Sequence, residues 1–256
     1  MRYAAAHKPP DKYAGEALSH ELMTAQLLVN YHRWIFREIQ LFLGDRVAEI
    51  GGGLGMFSTL LIRHHVSIRP TSILEIFEPA KMFFSQLSQR CYAQHGEWVR
   101  ANRVRLIDTD FVSSPNAFNT AILVNVLEHI EDDLDLMHQI YTALAPGGTL
   151  IIFSPALPCL YSKLDRMVGH YRRYTKHDLT SKLTESGFAV AQLRYMDATG
   201  VLPWYLINVL GGSSAFNPHL VKAYDRLVVP IVSLTERYFA PPIGKNILAV
   251  GQKPSC

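Results

Sequence analysis

Two histidines and a pair of arginines have the chemistry needed to take up a proton and to bind an anion. His129 ends the run Leu-Glu-His, and His170 starts His-Tyr-Arg-Arg-Tyr, which contains Arg172 and Arg173. An imidazole with its ordinary pKa near 6.5 suits a general base, although His129 could equally tie a strand end to the following helix. Guanidinium groups bind carboxylates or phosphates through two parallel hydrogen bonds. We therefore predict both histidines as candidate catalytic residues. We expect one arginine to contact substrate and the other to brace its loop.

Aromatic and amide side chains accompany these groups as candidates for positioning a substrate. Tyr161 and Asn125 are predicted to position the reacting groups, and Tyr171 is expected beside the arginines at the substrate. Tyr31 and Trp34 belong to a long helical pattern from about residue 16 to residue 42, whose apolar side chains recur at helical spacing. This stretch is richer in polar aromatic groups than covering a sheet requires. We expect Tyr31 and Trp34 to line the mouth of the active site and the helix to act as a lid.

A glycine-rich turn follows the first apolar run of the chain. Glycines occupy positions 51, 53 and 55, directly after Val47-Ala-Glu-Ile50. Because glycine lacks a Cβ and tolerates positive φ, such a turn lets the backbone approach a nucleotide-like ligand closely. The dinucleotide fingerprint requires a further Gly or Ala three residues on, where Met56 and Ser58 stand instead. The spacing therefore does not indicate a site for a dinucleotide phosphate.

Taken together, these motifs resemble those of the class I S-adenosylmethionine (SAM) methyltransferases. The pattern Glu49-x-Gly51-x-Gly53-x-Gly55 precedes Leu-Glu-His, and Gly-His-Tyr-Arg-Arg-Tyr is similar to a subgroup of that family. The resemblance implies SAM as the cofactor, bound by Glu49 and the three glycines. It also implies transfer of a methyl group to the oxygen, or less favourably the nitrogen, of a small metabolite.

Residues that bind the adenosine of SAM are expected at the ends of the next strands. Residues 72–77 have strand composition and lead into Glu78, whose carboxylate could accept both ribose hydroxyls. The alternative for Glu78 is a carboxylate at a helix start, favoured there by the helix dipole. By resemblance, Asp110 meets the adenine amino group and Phe111 packs on the ring, with Asp108 as a competing acid. Asn125 completes the predicted cofactor-binding set.

Alternating strand and helix patterns over 256 residues predict one α/β domain. We expect a Rossmann-like, doubly wound, mainly parallel sheet of seven strands. Its predicted parts are a helical lid (1–44), a core (45–196), a helical insertion before the last strand (197–245), and the last strand with a tail (246–256). The insertion is predicted as a substrate lid or a homodimer contact, with extra core as the alternative.

The composition of the chain limits the kinds of partner that the protein is expected to bind. A net charge of +3 without long basic runs argues against a nucleic-acid partner and favours a small-molecule substrate. The three cysteines lack Cys-x-x-Cys spacing, so we expect a reducing compartment and neither a zinc site nor any other metal. The longest apolar run of the insertion is too short for a transmembrane segment, and residues 1–10 lack the apolar core of a secretory signal. A cytoplasmic location is the expectation.

Two other functions stay open at this point. In the first, SAM is the sole substrate and its own amine closes an azetidine-2-carboxylate ring, with release of methylthioadenosine. That reaction needs an aromatic wall around the sulfonium, for which Tyr31 and Tyr161 are candidates, with Asn125 as an anchor. In the second, the chain binds SAM without catalysis, as a sensor or a partner subunit.

Overall fold

In residues 16–213 and 217–255, which the computed structural model describes, seven strands form one sheet. They are β1 (Arg46–Ile50), β2 (Ile73–Phe77), β3 (Val104–Ile107), β4 (Phe118–Val124), β5 (Leu144–Pro155), β6 (Ala189–Met196) and β7 (Asn246–Gln252). Their spatial order is β3-β2-β1-β4-β5-β7-β6. Neighbouring strands are parallel except that β7 runs antiparallel to both β5 and β6. The predicted mainly parallel seven-stranded sheet is confirmed.

Helices cover both faces of this sheet. They are α1 (Glu16–Ala25), α2 (Val29–Ile39), α3 (Met56–Leu61), α4 (Lys81–Arg100), α5 (Asp133–Ala143), α6 (Lys163–Met167), α7 (Lys176–Glu185), α8 (Val201–Trp204), α9 (Pro218–Ala223) and α10 (Val229–Tyr238). Adjacent residues of β4 show the two layers. Ile122 packs in a cluster with side chains of α2, α3 and α4, whereas Leu123 packs with side chains of α5 and α7. Both are fully buried, as expected for a parallel strand covered on two sides.

The order of the strands creates a crevice. The chain runs outward from β1 to β2 and β3, and then returns to place β4 on the other side of β1. The helices that follow β1 and β4 therefore lie on opposite faces, and the carboxyl ends of these two strands lie beside a gap where open sheets bind ligands. The glycine turn after β1 and Asn125 after β4 both stand at this gap.

The N-terminal segment differs from its prediction. The structure breaks the expected single helix over 16–42 into α1 and α2, followed by a 3-10 turn at Gln40–Phe42. Asp225 of the insertion accepts hydrogen bonds from the backbone amides of Asn30, at 3.1 Å, and Tyr31, at 2.9 Å, and so caps the start of α2. Because the capping carboxylate lies 195 residues away in sequence, the break has no local signal. Residues 1–15 of the predicted lid lie outside the described residues.

The insertion between β6 and β7 is helical, with π-helical turns at Tyr205–Leu210 and Tyr224–Val228. Its carboxylates fasten it to the core. In addition to the cap on α2, Asp197 accepts a hydrogen bond from the hydroxyl of Tyr31 on α2 at 3.1 Å. None of the helices in the described residues combines the length and apolar content that crossing a membrane requires.

Candidate functional site

A cavity of about 370 Å³ opens at the crevice. Its wall includes the glycine turn, the ends of β2 and β4, the acid and aromatic pair after β3, the first turns of α5, and two leucines of α1. The volume lies in the range of small-molecule and cofactor sites. Among the predicted site residues, the described lining contains Gly51, Gly53, Glu78, Asp110, Phe111, Asn125 and His129. The structure therefore brings these seven predicted residues together at one cavity.

The glycine turn needs glycine for two separate reasons. Gly51, Gly53 and Gly55 have φ values of +75°, +55° and +78°, a backbone region that L side chains rarely adopt. At Gly51, a Cβ would also lie 2.5 Å from Cγ2 of Val126, a contact too short to be tolerated. The turn is therefore bare backbone facing the cavity, with Leu22 of α1 over it, 3.6 Å from a Cβ built on Gly53.

Glu78 is fixed between this turn and the start of α4. Its Oε2 accepts a hydrogen bond from the backbone amide of Gly53 at 2.8 Å, and its Oε1 accepts one from Ala80 at 2.9 Å. A carboxylate can accept about four hydrogen bonds, so these two bonds do not exclude a ligand contact from the cavity that Glu78 lines. The helix-start role and the predicted ribose contact are therefore compatible in this one side chain.

The residues after β3 give the cavity an aromatic floor. Phe111 is buried and packs edge-on against Phe77, with ring centroids 5.1 Å apart. Asp110 lines the cavity beside it, whereas Asp108 is outside the described lining. An apolar ring next to an exposed carboxylate fits a flat base that carries an amino group. Together with Glu78 and the bare turn, these groups form a cradle that suits an adenosyl group.

Glu49 occupies a different environment from the rest of the predicted cofactor set. It is buried behind the turn and is outside the described lining. Burial, assisted by the negative charge of Glu78, raises the pKa of its carboxyl from the usual 4.5 to about 8. Its predicted contact with the cofactor stays a prediction, and a shift of this size also bears on stability.

Replacing Glu49 by Gln tests this burial. A carboxyl whose pKa is about 8 when folded and 4.5 when unfolded stabilises the fold fully below pH 4.5. That stabilisation is lost as the pH rises toward 8. We expect Glu49→Gln to unfold at nearly the wild-type temperature at pH 5, and to be more stable by about 3 to 4 kcal/mol at pH 8. Thermal unfolding of the ligand-free proteins at both pH values measures this, and a gap that does not widen with pH would contradict it.

The end of β4 places the predicted reacting groups. Asn125 has φ +53° and is exposed to the cavity, and its backbone amide donates to Phe153 at 2.8 Å. His129 follows on the 3-10 turn Leu127–His129 and lines the same wall. Burial and the neighbouring His170 lower the pKa of His129 to about 3. The ring is therefore neutral near pH 7, and in this state it is a weak base.

His170 and Tyr161 lie behind this wall and are outside the described lining. The rings of His170 and His129 meet edge to face, with centroids 4.6 Å apart. Nδ1 of His170 is 2.9 Å from Oδ1 of Asp165, and the hydroxyl of Tyr161 donates to the backbone oxygen of His170 at 2.6 Å. Both predicted catalytic residues thus contact His129 or support it, rather than facing the cavity directly.

Both arginines make intramolecular ion pairs. Arg173 is buried, and its Nε donates to Asp165 at 2.8 Å. Arg172 is partly exposed and pairs with Asp133, at 2.9 Å from Nη1 to Oδ2. Tyr171 is exposed, and neither it nor the arginines are among the described lining residues. The bracing role is observed for both arginines, and the predicted substrate contact of one of them stays a prediction.

Tyr31 and Trp34 are core residues in the structure. Trp34 is 1% exposed, and the hydroxyl of Tyr31 donates to Oδ2 of Asp197 at 3.1 Å. Neither is among the described lining residues, because α2 packs its apolar face on the sheet while α1 crosses the turn. Leu18 and Leu22 of α1 form the cavity wall in their place. The predicted lid role of this segment stays a prediction, and neither leucine was among the residues predicted for the site.

Acidic side chains dominate the charge of the cavity. The carboxylates in the described lining belong to Glu78, Asp110, Glu131, Asp132 and Asp135, and no lysine or arginine is among those lining residues. Sequence reasoning did not place Glu131, Asp132 or Asp135 here. Their signal was available, because they begin the helix that follows a strand end at the crevice. Such a cavity favours a ligand with positive charge and disfavours a phosphate.

Comparisons with known proteins agree with this geometry. A family model described as a methyltransferase domain matches residues 22–193. A search of curated proteins finds no significant match. Among solved structures, a chain from the complex between the Haloferax volcanii Trm112 methyltransferase activator and the putative methyltransferase has a TM-score of 0.62 at 13% identity, covering 96% of this chain and 100% of that one.

Two further structures illustrate the range of the fold. The [4+2]-cyclase SpnF has a TM-score of 0.56 at 15% identity, with 89% of this chain and 82% of that chain covered. Phosphoethanolamine N-methyltransferase 2 of Haemonchus contortus, solved with S-adenosyl-L-methionine, has a TM-score of 0.55 at 18% identity, with 83% and 49% covered. At such low identity these likenesses show a shared fold, and one of the two is a cyclase.

Proposed function

This chain belongs to the methyltransferase domain family, and from that premise we propose that it transfers the methyl group of S-adenosylmethionine to an oxygen of a small metabolite. Nitrogen is the second choice of acceptor atom. The observation that carries the proposal is the cavity's charge. SAM carries a sulfonium and an ammonium against one carboxylate, so its net charge is positive. A described lining with five carboxylates and no lysine or arginine suits that cation.

The cradle assigns parts of the cofactor to residues. Glu78, already held by the amides of Gly53 and Ala80, accepts the ribose hydroxyls. Asp110 accepts from the adenine amino group, and Phe111 packs on the ring. The turn at Gly51 admits the rest of the cofactor close to the backbone. These roles follow the family resemblance, and each corresponds to a side chain or amide at the cavity.

For methyl transfer, the protein mainly has to position the acceptor and to exclude water from the cavity. Bound SAM supplies an electrophilic methyl carbon on its sulfonium. Leu22, Val126 and Ile130 line the cavity and exclude water from it, while Asn125 holds the acceptor in line with the methyl group. Positioning of this kind can lower a barrier by about 7 to 11 kcal/mol. His129 is neutral because its pKa is about 3, and it accepts a hydrogen bond from the acceptor's hydroxyl. The ring takes up the hydroxyl proton as the bond from the oxygen to the methyl carbon forms and the bond from the sulfur to that carbon breaks.

The insertion keeps its two predicted alternatives, a substrate lid and a homodimer contact. Its helices expose large apolar side chains, including Leu210 at 64%, Leu227 at 68% and Ile231 at 65%. No described residue of the insertion lines the cavity. We therefore favour the dimer contact, because grouped apolar exposure is typical of association surfaces. Sedimentation velocity that finds only monomer at high concentration would remove it.

The cyclase alternative loses part of its support. Its sulfonium wall was to come from Tyr31 and Tyr161, and neither is among the described lining residues. Phe77, Phe83 and Phe111 are aromatic lining residues, but Phe77 and Phe111 belong to the adenine floor. Two of these three aromatic lining residues are therefore assigned to the base rather than to the sulfonium. Methyl transfer remains the function that the cavity supports best.

One product assay separates the three functions. The protein is incubated with SAM alone, and then with SAM and a panel of hydroxylated and amino metabolites. We expect S-adenosylhomocysteine only when an acceptor is present. Methylthioadenosine from SAM alone would instead point to the cyclase. If calorimetry shows that SAM binds while neither product forms with any acceptor, the result would favour the non-catalytic alternative. If SAM does not bind at all, the proposal fails.

A further inference from the structure

A buried carboxylate behind the cavity has an oxygen without a hydrogen bond among the described residues. Glu128 is 0% exposed, and its Oε2 accepts a hydrogen bond from the hydroxyl of Ser154 at 3.0 Å. Its Oε1 has no hydrogen-bond partner among the described residues. Leaving a buried polar atom unsatisfied costs about 1 to 3 kcal/mol, and more for a charged group. Such an atom in a native fold calls for an explanation, and a bound ion is one of them.

The atom that faces Oε1 is a histidine nitrogen. Nε2 of His170 lies 4.0 Å from Oε1 of Glu128, too far for a hydrogen bond. Nδ1 of the same ring is 2.9 Å from Asp165, which as a carboxylate only accepts, so we assign a proton to Nδ1. A metal ion that displaces any proton on Nε2 would bind the lone pair that this nitrogen directs toward the carboxylate. Two electron-rich atoms separated by this distance leave room for a cation about 2.0 to 2.2 Å from each.

His129 supplies a third donor to the same point. Ligand-type atoms of Glu128, His129 and His170 lie within 4.8 Å of one another. Since a metal at bonding distance from all three would need separations nearer 3 to 4 Å, small side-chain rotations complete the set. His129 also lines the cavity, so the cluster has a path to solvent and to a bound substrate. The backbone of Gly169 hydrogen-bonds to the His129 ring and helps to orient it.

The support around His170 is of the kind that metal ligands receive. Asp165, which accepts from His170, is itself held by the backbone amide of Ser162 at 2.8 Å, by the Ser162 hydroxyl at 2.7 Å, and by Arg173 at 2.8 Å. Histidines that bind metals usually donate their other ring N–H to such a carboxylate, which fixes the tautomer and the ring orientation. The cluster therefore combines candidate metal ligands with hydrogen-bonded side chains that hold one of these ligands, His170, in place.

We propose that Glu128, His129 and His170 bind a divalent transition-metal ion at the inner wall of the cofactor cavity. Two imidazoles and one carboxylate suit Zn²⁺, Fe²⁺ or Mn²⁺, and leave further positions for water or substrate. This departs from the sequence expectation of no metal, which considered cysteine spacing. The ion's role rests on the proposed function. With the ion bound, a hydroxyl of the acceptor would contact the ion in place of the His129 ring, and the ion would lower the pKa of that hydroxyl.

Cobalt binding tests the site without reference to activity. The full chain is freed of metal with a chelator and titrated with Co²⁺, whose visible absorption reports nitrogen and oxygen ligation, and with Zn²⁺ in competition. We expect one equivalent to bind. Loss of a partner behind a ligand weakens metal binding about 10- to 100-fold, so Glu128→Gln and His170→Gln should weaken it at least that much. The control is His138→Gln, because His138 is exposed on α5 and outside the cluster.

Two outcomes would overturn the metal site. One is a wild-type protein that shows no saturable Co²⁺ or Zn²⁺ binding, and the other is equal binding by wild type, Glu128→Gln and the control. Calorimetry with S-adenosylhomocysteine on the same samples shows that each variant is folded. It also separates the two proposals, because failure to bind this ligand contradicts the proposed function, whereas failure to bind metal while the ligand binds contradicts only the metal site.

Discussion

Replacing Glu78 by Ala is expected to weaken SAM binding about 10- to 100-fold. Charge-assisted hydrogen bonds to the ribose contribute about 1.5 to 3 kcal/mol, and each 1.4 kcal/mol is a factor of ten in Kd. The same carboxylate also accepts from the amides of Gly53 and Ala80, so its loss loosens the turn as well as the ligand contact. Isothermal titration calorimetry with SAM and with S-adenosylhomocysteine measures the change.

Asp108→Ala is the matched control for this experiment. Asp108 is an exposed acid near the end of the next strand and is outside the described cavity lining. Its removal changes the net charge as the Glu78 variant does, but it should leave the dissociation constant within about twofold, since exposed charges contribute little. Equal affinities for wild type and Glu78→Ala would mean that the ribose contact is misassigned. Equal losses of SAM affinity in both variants would mean that Glu78 acts through its long-range charge and not through a contact with the ribose.

Local signals in the sequence were enough to predict the sheet and to place several of the candidate site residues at one cavity. A buried strand such as β4 contains a continuous apolar run, here Ala121 to Val124, so its position can be recognised without knowledge of its neighbours. The glycines after β1 and the acid after β2 are adjacent to their strands in sequence. Because parallel strands bring their carboxyl ends to one edge, residues placed by sequence at those ends meet in space. Gly51, Gly53, Glu78 and Asp110 line one cavity for that reason.

Contacts between distant segments could not be predicted in this way. The helix break before α2 depends on Asp225, and the orientation that results buries Tyr31 and Trp34 while α1 covers the turn. The arginine pair shows the same limit. Arg172 and Arg173 are adjacent in sequence, yet each finds a different acid, and only the folded loop determines which.

The burial of individual side chains could not be predicted from residue types either. His129 looked like a base with an ordinary pKa, but desolvation and His170 lower that pKa to about 3. Glu128 stood in the motif as an acid between Leu127 and His129, without a role of its own. Its complete burial and its separation of 4.0 Å from Nε2 of His170 emerge only in three dimensions. A carboxylate and a histidine far apart in sequence give no ligand spacing to read.

Arg173→Met is expected to lower the free energy of unfolding by about 3 to 5 kcal/mol. The guanidinium and the Asp165 carboxylate are both buried, so the variant leaves a buried charge with one partner fewer. Burial alone would raise the pKa of Asp165, but hydrogen bonds from His170 and Arg173 hold it well below its usual range. Arg172→Met is the control, because its partner Asp133 keeps Lys182 at 2.6 Å and Tyr174 at 2.8 Å, and about 1 kcal/mol or less should be lost. Urea unfolding of metal-free protein at pH 7 measures both, and equal losses would show that burial does not distinguish the two pairs.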